Sequence, residues 1–270
     1  MGIFPLLLAT TKLYHIFLFF QTIFIKIWYN IIGDIMEKQK NIDLSNALLG
    51  GFVILFYLIA YSFPTIPLNL FNIEYNNLSL FIKSLYLAIY QIFLTLIIVY
   101  IYRKDIIPSF KEFIKNNITY FKKYIKYWFL MLILMITSNL IVTSFTSSMV
   151  AQNQEAIMEN LKSAPIYTFV LTVLAAPILE ELVFRLSFRK LFPYTNSLFI
   201  LFSGLIFGGM HVLGLSEHLT DLLFIIPYSI PGFIFAYVYT KSKNIFVPIS
   251  LHFIHNGIMM SLQILLLILN

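Results

Sequence analysis

The sequence contains no cysteine and is poor in charged residues. The lack of cysteine excludes disulfide bonds, a cysteine nucleophile and thiolate-bound zinc. Only 11% of the 270 residues are charged and 60% are hydrophobic, whereas a soluble domain has about 25% charged residues. The sequence has no polar stretch long enough for a soluble domain, and its uncharged runs reach the roughly 20 residues that span a bilayer. The composition therefore predicts a polytopic membrane protein.

The apolar runs predict an all-α fold. Backbone groups in lipid must be hydrogen-bonded within each segment, so we expect a polytopic helical membrane protein with about seven to eight transmembrane helices. Seven spans start near residue 45 and form one transmembrane domain, 45–270. The predicted spans are residues 46–63, 84–102, 127–150, 165–188, 197–215, 221–240 and 244–268.

Residues 1–44 are predicted to form a separate N-terminal segment. Its apolar run from Leu13 to Ile25 is short for a span, which is typical of an interfacial or marginal helix. The run lacks a basic start and a small-residue cleavage site, so a signal peptide is not expected. We expect residues 1–35 to be dispensable, or to be an over-extended start.

The positive charges, which give a net charge of +6, lie in short loops beside the apolar runs. This pattern indicates membrane topology and contact with the lipid bilayer, and it argues against nucleic-acid binding. The segment 103–126 holds seven Lys and Arg residues among aromatic side chains and predicts a basic amphipathic segment on the membrane surface. A purely topogenic role is the simpler interpretation, and the binding of a partner or of lipid is the alternative.

Alternating spans place most of the positive charge on one side of the membrane. That side carries Lys38, Lys40, the segment 103–126, Arg189, Lys190, Lys241 and Lys243, whereas the other side carries Lys83 and Lys162. The positive-inside rule assigns the richer side to the cytoplasm. The core then begins in the cytoplasm, and its C-terminus lies outside.

Two carboxylates and a guanidinium group interrupt the span 165–188. A charged side chain at bilayer depth costs at least about 2.5–3.5 kcal/mol, so we expect Glu180, Glu181 and Arg185 to have a function. Glu181 and Arg185 are spaced i, i+4 and can pair, whereas Glu180 points about 100° away. An unpaired carboxylate in a dry site suits general-base catalysis. A structural salt bridge beside an acid near the helix end is the alternative.

His211 is the next strongly polar side chain within an apolar run. It follows Phe207 by one helical turn, and Gly204 and Gly208 form a small-xxx-small pattern that predicts close approach of a neighbouring helix. A histidine in such a position also fits simple hydrogen bonding between packed helices.

The last span contains a second polar pair. His252 and Asn256 are spaced i, i+4, so both side chains can reach one point beside the helix. His255 points elsewhere and is a weaker candidate. Interhelical hydrogen bonding is again the alternative to a role in catalysis.

The carboxylate, the two histidines and the asparagine together supply the groups of a hydrolytic site. Glu180, His211 and His252 would make a common ligand set for a catalytic Zn2+ ion with a bound water. A metal-independent mechanism suits the same residues: Glu180 and one histidine activate water, while the other histidine and Asn256 stabilise the oxyanion. The sequence has no HExxH motif, and both mechanisms stay open.

The three motifs resemble those of the CAAX-protease and bacteriocin-processing family. They are Glu180-Glu181-x-x-x-Arg185, Phe207-x-x-x-His211 and His252-x-x-x-Asn256, and they occur in this order within residues 165–260. This family of intramembrane proteases, also called the abortive-infection family, is related to the eukaryotic prenyl-protein endopeptidase.

The resemblance implies an endopeptidase whose helical membrane core opens a cavity to the cytoplasmic side or to the bilayer. It implies that Glu180 is the base, that His211, His252 and Asn256 surround the water or a metal, and that Glu181 and Arg185 support them. It also implies a multi-pass protein of the bacterial plasma membrane. The substrate would be a membrane-associated peptide or protein, such as a bacteriocin precursor or a signalling peptide.

Two other functions fit the same spans. A non-catalytic membrane scaffold or bacteriocin self-immunity protein would bind a partner through these helices and would tolerate Glu180→Ala. A small transporter would distribute polar groups along a route across the membrane. One feature disagrees with a shared site, because the nominal span limits place Glu180 and His211 about 10 Å apart in depth.

Overall fold

The computed structural model describes residues 43–146, 152–213, 216 and 218–269. The expectations for residues 1–42, and the last residues of the predicted span 127–150, lie outside the described residues. Apart from Leu44, the described helices lie in one compact unit, Ser45–Asn270. The dispensability of residues 1–35 stays a prediction.

The described residues form nine helices, if the continuous run Pro165–Leu191 is counted once, and they include no β-strand. The helices are α1 (Leu44–Ser62), α2 (Ile66–Leu70), α3 (Leu80–Ile101), α4 (Arg103–Thr143), α5 (Gln152–Ser163), α6 (Pro165–Leu191), α7 (Asn196–Val212), α8 (Ile225–Ser242) and α9 (Phe246–Leu269). Short 3-10 turns occupy Tyr75–Asn77 and Leu219–Phe224. The predicted all-α class is confirmed.

Six of the described helical segments are long and apolar enough to cross a membrane. They correspond to α1, α3, α4, α6, α9, and α8 together with the 3-10 turn before it. The predicted span 197–215 corresponds to α7, which is apolar but has only 17 residues, or about 25 Å of helix. The chain is therefore a multi-pass integral membrane protein, as predicted.

Helix α4 differs from the prediction. The basic segment 103–126 and the span that begins at residue 127 form one continuous helix of 41 residues, which is about 60 Å long. Pro108 lies within the second turn and does not end the helix, because a proline so near the start removes few backbone hydrogen bonds. The basic segment is thus helical and continuous with the predicted span that follows it.

Helix α6 is irregular around its two carboxylates. The segments Val170–Ala175 and Leu182–Ser187 are π-helical, and they flank the α-helical segment Ala176–Glu181. A π-turn is wider than an α-turn and often occurs at functional sites. Ser187 Oγ donates a 3.1 Å hydrogen bond to the carbonyl oxygen of Leu182 within the second π-helical segment.

Helices α6 and α7 are antiparallel neighbours. Phe192 at the end of α6 stacks on Phe202 in α7, and Phe184 contacts Phe207 further along α7. Ser203 Oγ donates a 2.6 Å hydrogen bond to the carbonyl oxygen of Phe184. Apolar side chains from α1, α3, α8 and α9 complete the core around the middle of α6.

Helices α7 and α8 approach each other closely through glycines, which confirms the small-residue prediction. A Cβ atom added at Gly232 in α8 would lie 2.7 Å from Gly204 Cα. A Cβ atom at Gly208 would collide with Ser229, including its backbone nitrogen at 2.7 Å. The contact places α7, with His211, directly against α8.

Candidate active site

Glu181 is the centre of a buried ionic array between α6 and α9. Its Oε2 atom lies 3.0 Å from Arg185 Nε, and its Oε1 atom lies 3.0 Å from His252 Nδ1. The side chains of Glu181 and Arg185 are both 0% exposed. The predicted i, i+4 ion pair is present, and it also holds a histidine from another helix.

His252 lies between the two glutamates of the motif. An ionised carboxylate only accepts hydrogen bonds, so His252 Nδ1 must carry the hydrogen that Glu181 accepts. His252 Nε2 then faces Glu180, whose Oε2 atom is 3.8 Å away. This distance is too long for a direct hydrogen bond, and the Glu180 side chain remains 17% exposed.

Aromatic rings enclose the guanidinium group of Arg185. The group lies 4.8 Å from the ring centroid of Phe207 and 5.7 Å from that of Phe235, which are cation–π distances. Its Nη1 and Nη2 atoms have no hydrogen-bond partner among the described residues. Glu181, the more weakly interacting Glu180 and the two rings therefore provide the described electrostatic partners of this buried cation.

His211 is held in one orientation by its own helix and by α8. Its Nδ1 atom lies 2.8 Å from the carbonyl oxygen of Phe207. A carbonyl oxygen accepts, so Nδ1 carries the hydrogen and Nε2 is left for another partner. The imidazole ring lies between the Phe207 ring, with centroids 4.6 Å apart, and the Tyr228 ring, which stacks on it at 5.3 Å.

The depth difference expected between Glu180 and His211 is resolved by the antiparallel packing of α6 and α7. The contact between Arg185 and Phe207 sets the register of the two helices. Glu181 lies one turn before Arg185 in α6, and His211 lies one turn after Phe207 in α7. Because the two helices run in opposite directions, Glu181 and His211 lie on the same side of the contact between Arg185 and Phe207. His211 is therefore level with the two glutamates.

Asn256 is oriented by the first π-helical segment of α6. Its Nδ2 atom donates a 2.8 Å hydrogen bond to the carbonyl oxygen of Thr172. In a π-turn this oxygen would accept from the residue five positions later, which is Pro177 and has no N–H group. The amide keeps a second N–H and its carbonyl oxygen for another partner.

The predicted site residues thus comprise one array of four side chains and two further side chains beside it. Glu180, Glu181, Arg185 and His252 form one continuous array. His211 joins it through the Phe207 ring, which is 6.0 Å from the ring of His252. Asn256 lies one turn beyond His252 on α9.

The predicted zinc site is not formed by these positions. No group of three His, Asp or Glu side chains within the described ranges is close enough to hold a metal ion, whereas a catalytic zinc takes three protein ligands. The role of a metal therefore stays a prediction, and no step below uses one.

Several residues near the site were not predicted from the sequence. Tyr228 and Phe235 belong to α8, which has no polar motif, so only the packing against α7 and α9 identifies them. Tyr57 and Tyr61 in α1 lie close enough to Glu180 for electrostatic interaction. Their i, i+4 spacing is visible in the sequence, but it is common in apolar helices.

His255 is placed beside the site but outside the array. Its side chain is buried, and its Nδ1 atom has no hydrogen-bond partner within the described part of the chain. The array contains His252 instead, which agrees with the weaker expectation for His255.

Comparison with known proteins identifies this region. Residues 162–258 match the family model described as Type II CAAX prenyl endopeptidase Rce1-like. The match contains all three motifs and covers α6 to the middle of α9. No solved structure gives a significant match.

Curated bacterial proteins are similar to parts of the chain. YdiL of Bacillus subtilis (strain 168), named as a candidate membrane peptidase, is 34% identical over 116 residues, which are 42% of this chain and 44% of YdiL. The membrane-embedded CAAX protease MroQ of Staphylococcus aureus (strain USA300) is 31% identical over 158 residues, 53% of this chain and 60% of MroQ. The UPF0177 protein YvdC of Lactococcus lactis subsp. lactis (strain IL1403) is 28% identical over 47% of each chain.

The chain thus spans about half the length of the curated relatives it matches. The matched region contains the buried array and the histidine and asparagine beside it. By its residues 162–258, the chain is similar to the Rce1-like CAAX prenyl endopeptidase family.

Proposed function

We propose that the protein is an intramembrane endopeptidase in which Glu180 activates a water molecule against a peptide bond. The observation that carries this proposal is the buried array in which Arg185 and His252 hold Glu181 on both sides while His252 Nε2 faces Glu180 at 3.8 Å. A lone structural salt bridge would not need the histidine or the second glutamate. The similarity to proteins named as membrane peptidases supports the same reaction class.

The proposed reaction is general-base hydrolysis. Glu180 takes a proton from water, and the oxygen of that water forms a bond to the carbonyl carbon of the peptide while the carbonyl electron pair moves onto its oxygen. When the intermediate collapses, the C–N bond breaks and Glu180 returns the proton to the leaving nitrogen. Water is the only co-reactant, and Glu180 ends in its starting state.

We assign stabilisation of the oxyanion to His252 and Asn256. Each donates one N–H to α6, from His252 Nδ1 to Glu181 and from Asn256 Nδ2 to the Thr172 carbonyl oxygen. Asn256 Nδ2 keeps its second hydrogen, and the protonated form of His252 also carries a hydrogen on Nε2. The two side chains lie one turn apart on the same face of α9. Preorganised N–H donors of this kind stabilise developing negative charge in a water-poor site.

Charge balance explains why two glutamates are needed. If His252 is protonated, Arg185 and His252 balance Glu181 and Glu180, and the buried array is neutral. A neutral array avoids the cost of an uncompensated buried charge. The ionised form of Glu180 is the one that can accept the proton of water.

His211 is assigned to the position of the water. Its Nδ1 hydrogen is donated to the Phe207 carbonyl oxygen, so the free Nε2 atom of the neutral ring is an acceptor. An acceptor at this position can bind the second hydrogen of the water while Glu180 takes the first.

The substrate in this proposal is a membrane-associated peptide or protein, because the array lies in helices that span the membrane. A bacteriocin precursor or a signalling peptide has this character. We infer no prenyl group on the substrate from the family description.

The test compares new peptide termini in membranes of cells that contain the native protein or Glu180→Gln at equal abundance. The substitution keeps size and polarity but removes the base. We expect a defined set of termini to disappear. Glu159→Gln, at an exposed position of α5, is the matched control and should leave every terminus in place.

The opposite outcome supports the scaffold function. If no terminus changes, and Glu180→Gln restores the phenotype of a gene deletion, Glu180 has no catalytic role. The protein would then act by binding a partner.

A further inference from the structure

The first half of α4 carries two parallel rows of exposed side chains. The apolar row is Ile107, Phe110, Ile114, Ile118 and Phe121, with exposed fractions from 47% to 68%. The basic row is Lys104, Lys111, Lys115, Lys122 and Lys126, all exposed. At about 100° per residue, the apolar row fills a sector of about 80°, and the basic row fills the adjoining sector of about 60°.

The two acidic residues of this half-helix lie on the side of the basic row that is away from the apolar row. Asp105 lies 3.2 Å from Lys190 Nζ at the end of α6. Glu112 accepts hydrogen bonds from Tyr120 and from the side-chain amide of Asn244. None of the five lysines in the basic row pairs with a carboxylate within the described part of the chain. Both acids thus contact residues outside the basic row, and the row itself contains no carboxylate.

Contacts on the inner face show how this half-helix runs. Asp105 meets α6 at Lys190, and the Ser109 carbonyl oxygen accepts a 2.7 Å hydrogen bond from Asn244 in the connection between α8 and α9. The Phe246 ring at the start of α9 lies 5.1 Å from the Phe110 ring. With alternating spans, both meeting points lie at the same end of the bundle. The half-helix therefore runs along the rim of the bundle and does not project away from it.

We propose that the first half of α4 is a binding surface for anionic phospholipid. The apolar row inserts at the boundary between headgroups and acyl chains, and the basic row contacts the headgroup phosphates, as in interfacial amphipathic helices. A protein partner is less suited, because the contacts of Asp105 with Lys190 and of Ser109 with Asn244 keep this half of α4 beside the ends of the membrane-spanning helices. The complementary charge at that depth belongs to acidic lipid.

Labelling at single introduced cysteines tests whether the apolar row inserts into the bilayer. Because the native sequence has no cysteine, only the introduced position is labelled. A fluorescent label is placed at Ile114→Cys, Ile118→Cys or Thr119→Cys in the full chain, reconstituted in vesicles of phosphatidylglycerol and phosphatidylcholine. Thr119 is exposed but lies outside the apolar row. We expect brominated acyl chains to quench the first two labels and aqueous iodide to quench the third.

Two results would overturn this placement. Equal quenching of all three labels by iodide would mean that the apolar row faces water. Shielding of the labels at positions 114 and 118 from both quenchers would mean that a protein covers the row.

The lipid selectivity of the protein tests whether the positive charges of the basic row bind anionic phospholipid. Spin-labelled phosphatidylglycerol and phosphatidylcholine report how strongly each lipid associates with the native chain, with Lys111→Gln/Lys115→Gln, and with Lys83→Gln/Lys162→Gln. The last pair removes the same charge at the opposite end of the bundle. We expect the preference for phosphatidylglycerol to fall about fivefold for each lysine removed from the row, to stay unchanged in the control, and to weaken with salt. An equal preference in all three chains would contradict the proposal.

Discussion

The side-chain amide of Asn256 donates a hydrogen bond to the backbone carbonyl oxygen of Thr172, with a donor–acceptor distance of 2.8 Å. That oxygen lies in a π-helical turn, five residues before Pro177. The proline has no N–H group to occupy it. A backbone irregularity in α6 is thus the reason that a side chain in α9 has a fixed orientation.

Pro177→Ala tests this relationship. The new N–H group would compete with Asn256 for the Thr172 carbonyl oxygen, and Asn256 would lose its orientation. We expect peptide cleavage to fall about two- to tenfold, which corresponds to one hydrogen bond, in initial-rate measurements on proteoliposomes. Pro231→Ala, which removes a proline inside α8, is the control. A native rate in Pro177→Ala would show that the carbonyl does not position Asn256.

Glu181→Gln is expected to destabilise the protein strongly. The substitution leaves Arg185 as an unpaired charge with 0% exposure, which typically costs about 3–5 kcal/mol. Thermal unfolding in detergent measures the loss. The double variant Glu181→Gln/Arg185→Met removes the orphan charge and should regain much of the stability without regaining activity. Equal stability of the single and double variants would mean that the ion pair is not what stabilises this region.

Tyr228→Leu is expected to lower activity through His211. The Tyr228 ring stacks on the imidazole of His211 at 5.3 Å with an interplanar angle of 17°. Such ring pairs contribute about 0.5–1.5 kcal/mol, so the cleavage rate should fall about two- to tenfold. Tyr228→Phe keeps the ring and should retain the native rate. A loss in both variants would assign the effect to the hydroxyl group instead of the stacking.

Gly232→Ala is expected to separate α7 from α8. The added Cβ atom would lie 2.7 Å from Gly204 Cα and 2.8 Å from Gly204 O, and backbone overlaps of this kind cost about 1–3 kcal/mol. The melting temperature in detergent should fall. Gly51→Ala is the matched control, because its Cβ atom would meet only Leu191 at an ordinary 3.8 Å. Equal melting temperatures of Gly232→Ala and Gly51→Ala would mean that this contact does not limit how closely α7 and α8 approach each other.

Elemental analysis of the purified, active protein addresses the zinc prediction. The metal-independent mechanism predicts substoichiometric zinc and unchanged cleavage after exhaustive dialysis against a chelator. Stoichiometric zinc, with activity lost on chelation and restored by Zn2+, would favour the metal-dependent alternative.

The helical class, the positions of the spans and the three motifs were predictable from the sequence because they depend on local composition and spacing. The ion pair between Glu181 and Arg185 follows from its i, i+4 spacing. The contact between Glu181 and His252 does not, because it joins residues 71 positions apart. It depends on how α9 packs on α6.

Two misjudged features have physical reasons. Nominal span limits treat every helix as starting at the membrane edge, and they therefore placed His211 too far from Glu180. The antiparallel register set by Arg185 and Phe207 removes that difference. The continuity of α4 through residue 126 was also missed, because a change from basic to apolar composition is not itself a helix end.

The most direct test of the central claim is the initial rate of cleavage of one identified substrate by purified protein in proteoliposomes. The native chain and Glu180→Gln are compared, with Glu159→Gln as the control. If Glu180 is the general base, its substitution should lower the rate about 100- to 10,000-fold, and the control should keep the native rate. A Glu180→Gln rate equal to the native rate would contradict the assignment of Glu180 as the base.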